Sequence, residues 1–134
     1  MRSTKIVTSF VQSNEKLLLL KRSDRVKSMK GLWGAVSGII ENGEEPLRRA
    51  KIEIYEEIGV KSEQIQLLKA GHEMTISSPQ YPDHQWMVFP FLFSTKVQKI
   101  SLNWENTSYA WIEPQEIHKY ETVPSLSEVL FNLL

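Results

Sequence analysis

Alternation of apolar and polar positions near the start of the chain predicts a β-hairpin. Residues 4–11 are rich in β-branched and aromatic side chains, which favours a strand. Lys16–Arg22 carries four consecutive leucines and predicts a second strand, with a turn at residues 14–15 between the two. The polar, basic residues 23–31 then predict a loop.

A third strand and a helix follow. The apolar residues 33–40 predict a strand that ends in a turn. Residues 44–58 predict a helix, because Pro46 suits a first helical turn and Gly59 suits a C-terminal stop. The apolar face of this helix repeats at helical spacing. It is formed by Leu47, Ala50, Ile54 and Ile58.

The second half of the chain alternates between strand and loop patterns. Residues 64–77 predict strand interrupted by a glycine, and the proline-containing residues 78–85 predict a loop. The strand predicted over residues 86–95 contains Pro90, which favours a sheet edge or a bulge. The remaining predicted elements are a strand at 109–112, a turn or short helix from 113, and a helix that Pro124 opens.

Composition narrows the class of protein. The chain has 134 residues, which suits a single domain spanning 1–134. Its 16 basic and 16 acidic residues balance, so no overall attraction to nucleic acid or to an anionic membrane is expected. There are no cysteines and no apolar run long enough to cross a bilayer. We therefore expect a cytoplasmic protein with no membrane or nucleic-acid partner, as a monomer or a homodimer.

Three carboxylates lie within five positions of the predicted helix. Glu53, Glu56 and Glu57 fall on one flank of its apolar face, where like charges repel one another. Converging carboxylates are what a hard divalent cation such as Mg²⁺ or Mn²⁺ binds. The alternative is a solvated acidic face, since Arg49 is spaced to pair with Glu53.

The segment from residue 38 to residue 60 resembles the signature of the Nudix hydrolase family. Gly38 is followed after five residues by Glu44, and the glutamates of the helix follow after a further stretch. All fixed positions of the signature match except one, where Ile52 replaces an arginine. The resemblance implies an α/β fold, namely an α/β/α sandwich with a central mixed β-sheet.

The resemblance also implies an activity. Members hydrolyse a nucleoside diphosphate linked to another group, such as a nucleotide sugar, ADP-ribose, a dinucleotide or an NTP, with Mg²⁺ or Mn²⁺. By position, Glu53, Glu56 and Glu57 would be metal ligands and catalytic residues, and the backbone carbonyl of Gly38 would complete the metal shell. Glu44 would support the junction between loop and helix.

Ile52 raises the question of whether the reaction runs. The arginine that the family has here is expected to orient a glutamate of the signature, which isoleucine cannot do. Either Arg49 or Arg48 replaces it, or catalysis is weakened or lost, or Ile52 only packs under a loop or a subunit contact. A non-catalytic module that binds a nucleotide or a protein is therefore the alternative function.

Residues outside the signature complete the candidate site. Glu105 is a candidate general base or further ligand, or else a plain surface residue. Arg22 and Arg25 are candidates for binding substrate phosphates, or else serve solubility. Trp33 and Tyr81 are candidates for stacking on a base of the small-molecule nucleotide substrate.

Overall fold

The computed structural model describes residues 1–134 and contains eight strands and two α-helices. Short 3-10 helices at Ser62–Gln64 and Pro114–Lys119 connect some of these elements. The elements are β1 (Arg2–Ser13), β2 (Lys16–Arg22), β3 (Trp33–Gly34), β4 (Val36–Ile39), α1 (Pro46–Ile58), β5 (Ile65–Ala70), β6 (Met74–Ser78), β7 (Tyr81–Thr95), β8 (Asn106–Ile112) and α2 (Leu126–Leu133).

All eight strands form one mixed sheet. The two long strands β1 and β7 run parallel at its centre, with Val7 opposite Phe89. Every other pair is antiparallel: β2 and β4 share the second side of β1, while β5 and β6 share the second side of β7. Beyond them, β2 pairs with both β3 and β8.

Both faces of the sheet are buried, and the leucines of β2 show how. Leu17 and Leu19 point into the core beneath α2, whereas Leu18 and Leu20 point into the core beneath α1. Successive side chains of a strand face opposite sides, so four consecutive leucines serve two cores. The predicted α/β/α sandwich with a central mixed sheet is confirmed.

Neither helix combines the length and the apolar character that crossing a bilayer requires. The hairpin of β1 and β2 forms as predicted, with residues 14–15 in its turn. The apolar face of α1 packs against β1 and β4, and Ala50, Ile54 and Ile58 are buried there.

The prediction of a loop over residues 78–85 is wrong. Only residues 79–80 form a turn, and β7 begins at Tyr81. Backbone pairing with two neighbours overrides the proline signal, since His84 lies opposite Arg2 of β1 and Gln85 lies opposite Ser77 of β6.

Pro90 does not lie on an edge strand, as its sequence position suggests, but in the central strand β7. Its carbonyl oxygen accepts a hydrogen bond of 2.9 Å from the Gly71 amide. The missing N–H of Pro90 therefore faces residues 71–73, the gap between β5 and β6, where no strand needs it.

Two further boundaries differ from the prediction. Helix α1 begins at Pro46 rather than at residue 44, because the residue before a proline prefers extended backbone and Glu45 has φ −77° and ψ 135°. The predicted strand 33–40 divides at Ala35 into β3 and β4, which pair with different neighbours.

Candidate active site

Three carboxylates converge where the C-terminal half of α1 meets the start of β8. Single carboxylate oxygens of Glu53, Glu57 and Glu105 all lie within 4.8 Å of one another. Glu53 and Glu57 are four residues apart and so share a helix face, and both are buried, at 8% and 3% exposure. We call these three residues the carboxylate cluster.

Glu105 reaches the cluster from a distant part of the sequence. It directly precedes β8, which pairs with β2. Its carbonyl oxygen accepts a hydrogen bond of 2.8 Å from the Ser23 amide, and its own amide donates to Asn103 Oδ1 at 3.1 Å. The backbone around Glu105 is thereby fixed against the end of β2.

Glu57 carries the least compensated charge of the cluster. Burial, and then the negative charges of Glu105 and Glu53, raise the pKa of its carboxyl well above the usual value. Its Oε2 atom is buried without a hydrogen-bond partner, and no basic residue lies in the last turn of α1. A helix C-terminus also disfavours negative charge, so the fold stabilises the ionised form of this carboxyl poorly.

Asn106 gives Glu57 its single hydrogen bond from a protein side chain. Its Nδ2 donates to Glu57 Oε1 at 3.3 Å, and Asn106 is itself buried. Sequence reasoning missed this residue. The one available signal was its position directly after Glu105, which does not distinguish it from an ordinary loop asparagine.

Arg49 connects the cluster to the loop before α1. Its Nε and Nη2 atoms donate to Glu44 Oε1 and Oε2 at 3.0 and 2.7 Å, and its Nη1 donates to Glu53 Oε2 at 3.0 Å. Burial raises the pKa of Glu53, and the bond from Arg49 opposes that rise. The same arginine lowers the pKa of Glu44 through its hydrogen bonds.

Gly38 lies directly against the Glu53 side chain. A Cβ atom at position 38 would overlap Cγ, Cδ and Oε2 of Glu53. Gly38 lies in β4 opposite Val7 of β1, so its backbone is fixed by the sheet. Only a residue without a side chain fits beside Glu53 in this position.

Glu56 lies outside the carboxylate cluster. Its side chain is exposed, whereas the neighbouring Glu57 is buried. Consecutive helical residues point about 100° apart, which turns Glu56 toward solvent while Glu57 faces the cluster. The negative charge of Glu56 also raises the pKa of Glu53, by less than burial does. The role of Glu56 as a ligand stays a prediction.

Neither Ile52 nor Arg48 places a positive charge on the carboxylate cluster. Ile52 is half-buried and carries no polar group. The Arg48 side chain is 70% exposed, and its Nη1 lies 3.7 Å from Glu44 Oε2. An exposed pair at that distance contributes little.

Arg22 lies at the end of β2, close to the carboxylate cluster. Burial lowers the pKa of its guanidinium, while the negative charges of Glu57 and Glu105 act in the opposite direction. Its Nε and Nη2 atoms donate to the Ser28 carbonyl at 3.2 and 3.1 Å, which shapes the loop that follows β2. Arg22 is therefore a positive charge beside the cluster.

Arg25 is exposed and lies over the ring of Trp104, 5.7 Å from its centroid. Trp104 is 53% exposed and directly precedes Glu105. The loop after β2 and the loop before β8 therefore meet twice, once through this cation–π contact and once through the Ser23–Glu105 hydrogen bond.

The two aromatic candidates differ in their surroundings. Trp33 packs edge-on against Tyr120, with ring centroids 5.1 Å apart, on the core beneath α2. Tyr81 instead lines an open cleft of about 520 Å³ whose other walls include Lys27 and Lys30. Tyr81 is thus available to a ligand on one side, whereas Trp33 is mainly a packing residue.

The donor set of the cluster fits a hard divalent cation. It offers carboxylate oxygens alone, which suit Mg²⁺ and Mn²⁺. The buried Glu57 Oε2 without a partner, beside two further carboxylates, is the observation that favours a cation here.

Known proteins resemble this chain in sequence and in fold. The chain is 24% identical over 128 residues to the nucleoside triphosphatase NudI of Escherichia coli O139:H28, covering 90% of this chain and 89% of that protein. The E. coli dihydroneopterin triphosphate pyrophosphohydrolase has a similar fold, with a TM-score of 0.75, 18% identity, and coverage of 97% of this chain and 95% of that one.

A C. elegans Ap4A hydrolase also shares the fold, with a TM-score of 0.75, 15% identity, and coverage of 98% of this chain and 94% of that one. The NUDIX domain family matches residues 3–133, which is nearly the whole chain. The protein is therefore a member of the Nudix hydrolase family.

Proposed function

We propose that this protein is a divalent-metal-dependent pyrophosphohydrolase that cleaves a nucleoside diphosphate linked to another group. The observation that carries the proposal is the cluster itself: single carboxylate oxygens of Glu53, Glu57 and Glu105 lie within 4.8 Å of one another, and Glu57 has a buried oxygen without a hydrogen-bond partner. A buried charge without a partner is costly, and a cation is the partner that three carboxylates attract.

The activities in the names of similar proteins suggest the order in which substrates should be tested. The similarity to a nucleoside triphosphatase favours NTPs first. Dinucleoside polyphosphates come next because a structural neighbour is an Ap4A hydrolase. ADP-ribose and nucleotide sugars complete the class.

The residues of the cluster would bind the metal ion and accept a proton from water. Glu53, Glu57 and Glu105 would hold Mg²⁺ or Mn²⁺, with the Gly38 carbonyl and Glu56 as further predicted ligands. When bound, the cation supplies positive charge that neutralises phosphate oxygens and makes a nearby water more acidic. Glu105 is less buried than its two partners, so we assign it the proton that the attacking water gives up.

The reaction forms a bond from the water oxygen to phosphorus and breaks the bridging bond between phosphorus and oxygen. The product fragment that leaves carries the bridging oxygen, and each product carries a phosphate. Arg22 would bind a substrate phosphate, because its guanidinium lies beside Glu57 and Glu105 and is not paired with either carboxylate. Tyr81 would contact the base from the adjoining cleft, and Arg25 would meet the more exposed part of the substrate.

The second candidate is a module that binds a nucleotide without hydrolysing it, and Ile52 is the observation that favours it. Arginine is expected at this position from the resemblance, and isoleucine offers no hydrogen bond to a glutamate. Arg49 weakens this alternative, since a guanidinium does contact Glu53 from another position on the helix.

One experiment separates the two candidates. The wild-type protein, Glu57→Gln and the control Glu128→Gln are incubated with Mg²⁺ or Mn²⁺ and the substrate panel, and phosphate-containing products are quantified. Glu128 is exposed on α2, across the sheet from the cluster, so its substitution tests for nonspecific effects.

The proposal expects turnover by the wild type and the control, with at least a 100-fold loss in Glu57→Gln. Turnover that survives Glu57→Gln would overturn the assignment of the site. No turnover on any substrate, with nucleotide binding retained, would support the binding module instead.

A further inference from the structure

The guanidinium of Arg49 has a more defined arrangement than a surface ion pair. It makes two hydrogen bonds to Glu44 and one to Glu53, so three of its five donors are used on two carboxylates. The side chains of Arg49, Glu44 and Glu53 are only 14%, 12% and 10% exposed. A planar fork bound at both ends has little freedom to move.

We propose that Arg49 is a positioning residue: anchored by Glu44, it holds the Glu53 carboxylate in the orientation that binds the divalent cation. The expected effect of Arg49 on kcat rests on the proposed function. Its expected effect on metal affinity does not depend on turnover. Arg49 acts through Glu53 and is not itself assigned contact with the substrate.

The geometry gives each end of the fork a different task. The bidentate bond ties the helix to Glu44, whose Oε1 also accepts from the Glu41 amide at 2.9 Å and so fixes the loop. The remaining donor, Nη1, binds Oε2 of Glu53 and leaves the second oxygen of that carboxylate available. Gly38 also restricts this carboxylate, since the Glu53 side chain packs into the space that a Cβ atom at position 38 would fill.

Neither of the other cations of α1, Arg48 and Lys51, makes a salt bridge to Glu53. Arg48 is one residue away, is 70% exposed and makes only a 3.7 Å contact with Glu44. Ile52 occupies the position at which the resemblance leads us to expect an arginine. The positioning bond therefore comes from one turn earlier in the helix than the sequence signature indicates.

The sign of the effect on metal affinity distinguishes positioning from simple charge. A positive guanidinium near a cation site repels the cation, so removing that charge alone would tighten metal binding. Loss of the orientation of Glu53 would weaken metal binding instead, as commonly happens when a residue that orients a metal ligand is removed. The two roles predict opposite changes.

The test measures Mn²⁺ affinity by titration calorimetry for the wild type, Arg49→Ala, Arg49→Lys and the matched control Arg48→Ala. Lysine keeps the positive charge but cannot make the three-bond fork, so it isolates geometry from charge. Melting temperatures accompany each titration. If Arg49→Ala does not fold, Arg49→Lys carries the comparison.

We expect Mn²⁺ affinity to fall about 10-fold or more in Arg49→Ala and in Arg49→Lys, and to stay within about twofold in Arg48→Ala. With a substrate that is turned over, kcat should fall by a similar factor while KM changes little. Unchanged or tighter Mn²⁺ binding in Arg49→Lys would overturn the inference, as would equal losses in Arg48→Ala.

These outcomes are separable from failure of the proposed function. If no substrate is hydrolysed but Mn²⁺ binds more weakly to both Arg49 variants, Arg49 positions Glu53 in a binding module and the hydrolase proposal fails alone. If hydrolysis occurs and the Arg49 variants bind Mn²⁺ and turn over normally, the positioning role fails alone.

Discussion

Asn106 Nδ2 donates a hydrogen bond of 3.3 Å to Glu57 Oε1, which joins the start of β8 to the last turn of α1. Both residues are buried, and no other side chain donates to Glu57. The bond holds one oxygen of this carboxylate while the other stays unpartnered. The orientation of Glu57 therefore depends on a residue that lies 49 positions away in sequence.

We predict that Asn106→Ala weakens Mn²⁺ binding by about 10-fold, because Glu57 loses the donor that orients it. The free energy of unfolding of the metal-free protein should fall by about 1–3 kcal/mol, since a buried acceptor loses its partner. Calorimetry and urea unfolding in EDTA measure the two effects. Asn103→Ala, which removes a side-chain bond to Glu105 instead, tests whether the effect is particular to Glu57.

We predict that the metal-free Glu57→Gln variant is more stable than the metal-free wild type, and that this difference grows as pH rises. The pKa of Glu57 is raised in the folded state. Above pH 4.5, the ordinary pKa, the folded protein therefore keeps a proton on Glu57 that the unfolded chain releases. The wild type therefore loses stability as pH rises from about 4.5 through the raised folded pKa, whereas glutamine has no charge to bury.

Unfolding in EDTA at several pH values between 4 and 8 measures this difference. Glu44 has the opposite effect on the pH dependence of stability, because its pKa is lowered in the folded state. The comparison of the wild type with Glu57→Gln isolates the effect of Glu57. Saturating Mg²⁺ or Mn²⁺ should raise the melting temperature of the wild type and leave that of Glu57→Gln nearly unchanged. A stability difference that does not vary with pH would contradict the prediction.

We predict that Gly38→Ala is much more damaging than Gly34→Ala. The added Cβ at position 38 overlaps the Glu53 side chain, whereas at position 34 it lies 3.7 Å from the Val123 methyl groups, an ordinary contact. Displacing Glu53 should weaken Mn²⁺ binding at least 10-fold, with about 1–3 kcal/mol of lost stability from overpacking. Equal melting temperatures and Mn²⁺ affinities in the two variants would show that the close approach of Gly38 does not matter.

We predict that Ile52→Arg alone changes kcat by less than about threefold. Arg49 already donates to Glu53 Oε2, so the bond that an arginine at position 52 would make is largely redundant. In the Arg49→Ala background the same substitution should recover part of the lost Mn²⁺ affinity. A large gain in kcat from Ile52→Arg in the otherwise wild-type chain would instead identify Ile52 as the residue that limits catalysis.

Several features followed from local sequence because local physics decides them. Helical spacing put Glu53 and Glu57 on one face, since residues four apart differ by only about 40° around the axis. Gly59 ended the helix, where its φ of 73° is a conformation that glycine adopts without strain. The four leucines of β2 formed a strand buried on both faces.

Tertiary structure decided the rest of the site. Glu56 matched the signature as well as Glu57 did, yet packing of α1 on the sheet buries Glu57 in the cluster and leaves the Glu56 side chain exposed. Pairing of β8 with β2 brought Glu105 and Asn106 to α1, although Asn106 and Glu57 are 49 positions apart in sequence, which no local pattern predicts.

The sequence by itself determined the family, the helix and two of the three clustered carboxylates, because each depends on spacing within about 20 residues. Only the fold decided where Pro90 lies and which residues from outside the helix complete the site. Those outcomes depend on contacts between segments that are distant in sequence, and a chain reveals such contacts only once its sheet has formed.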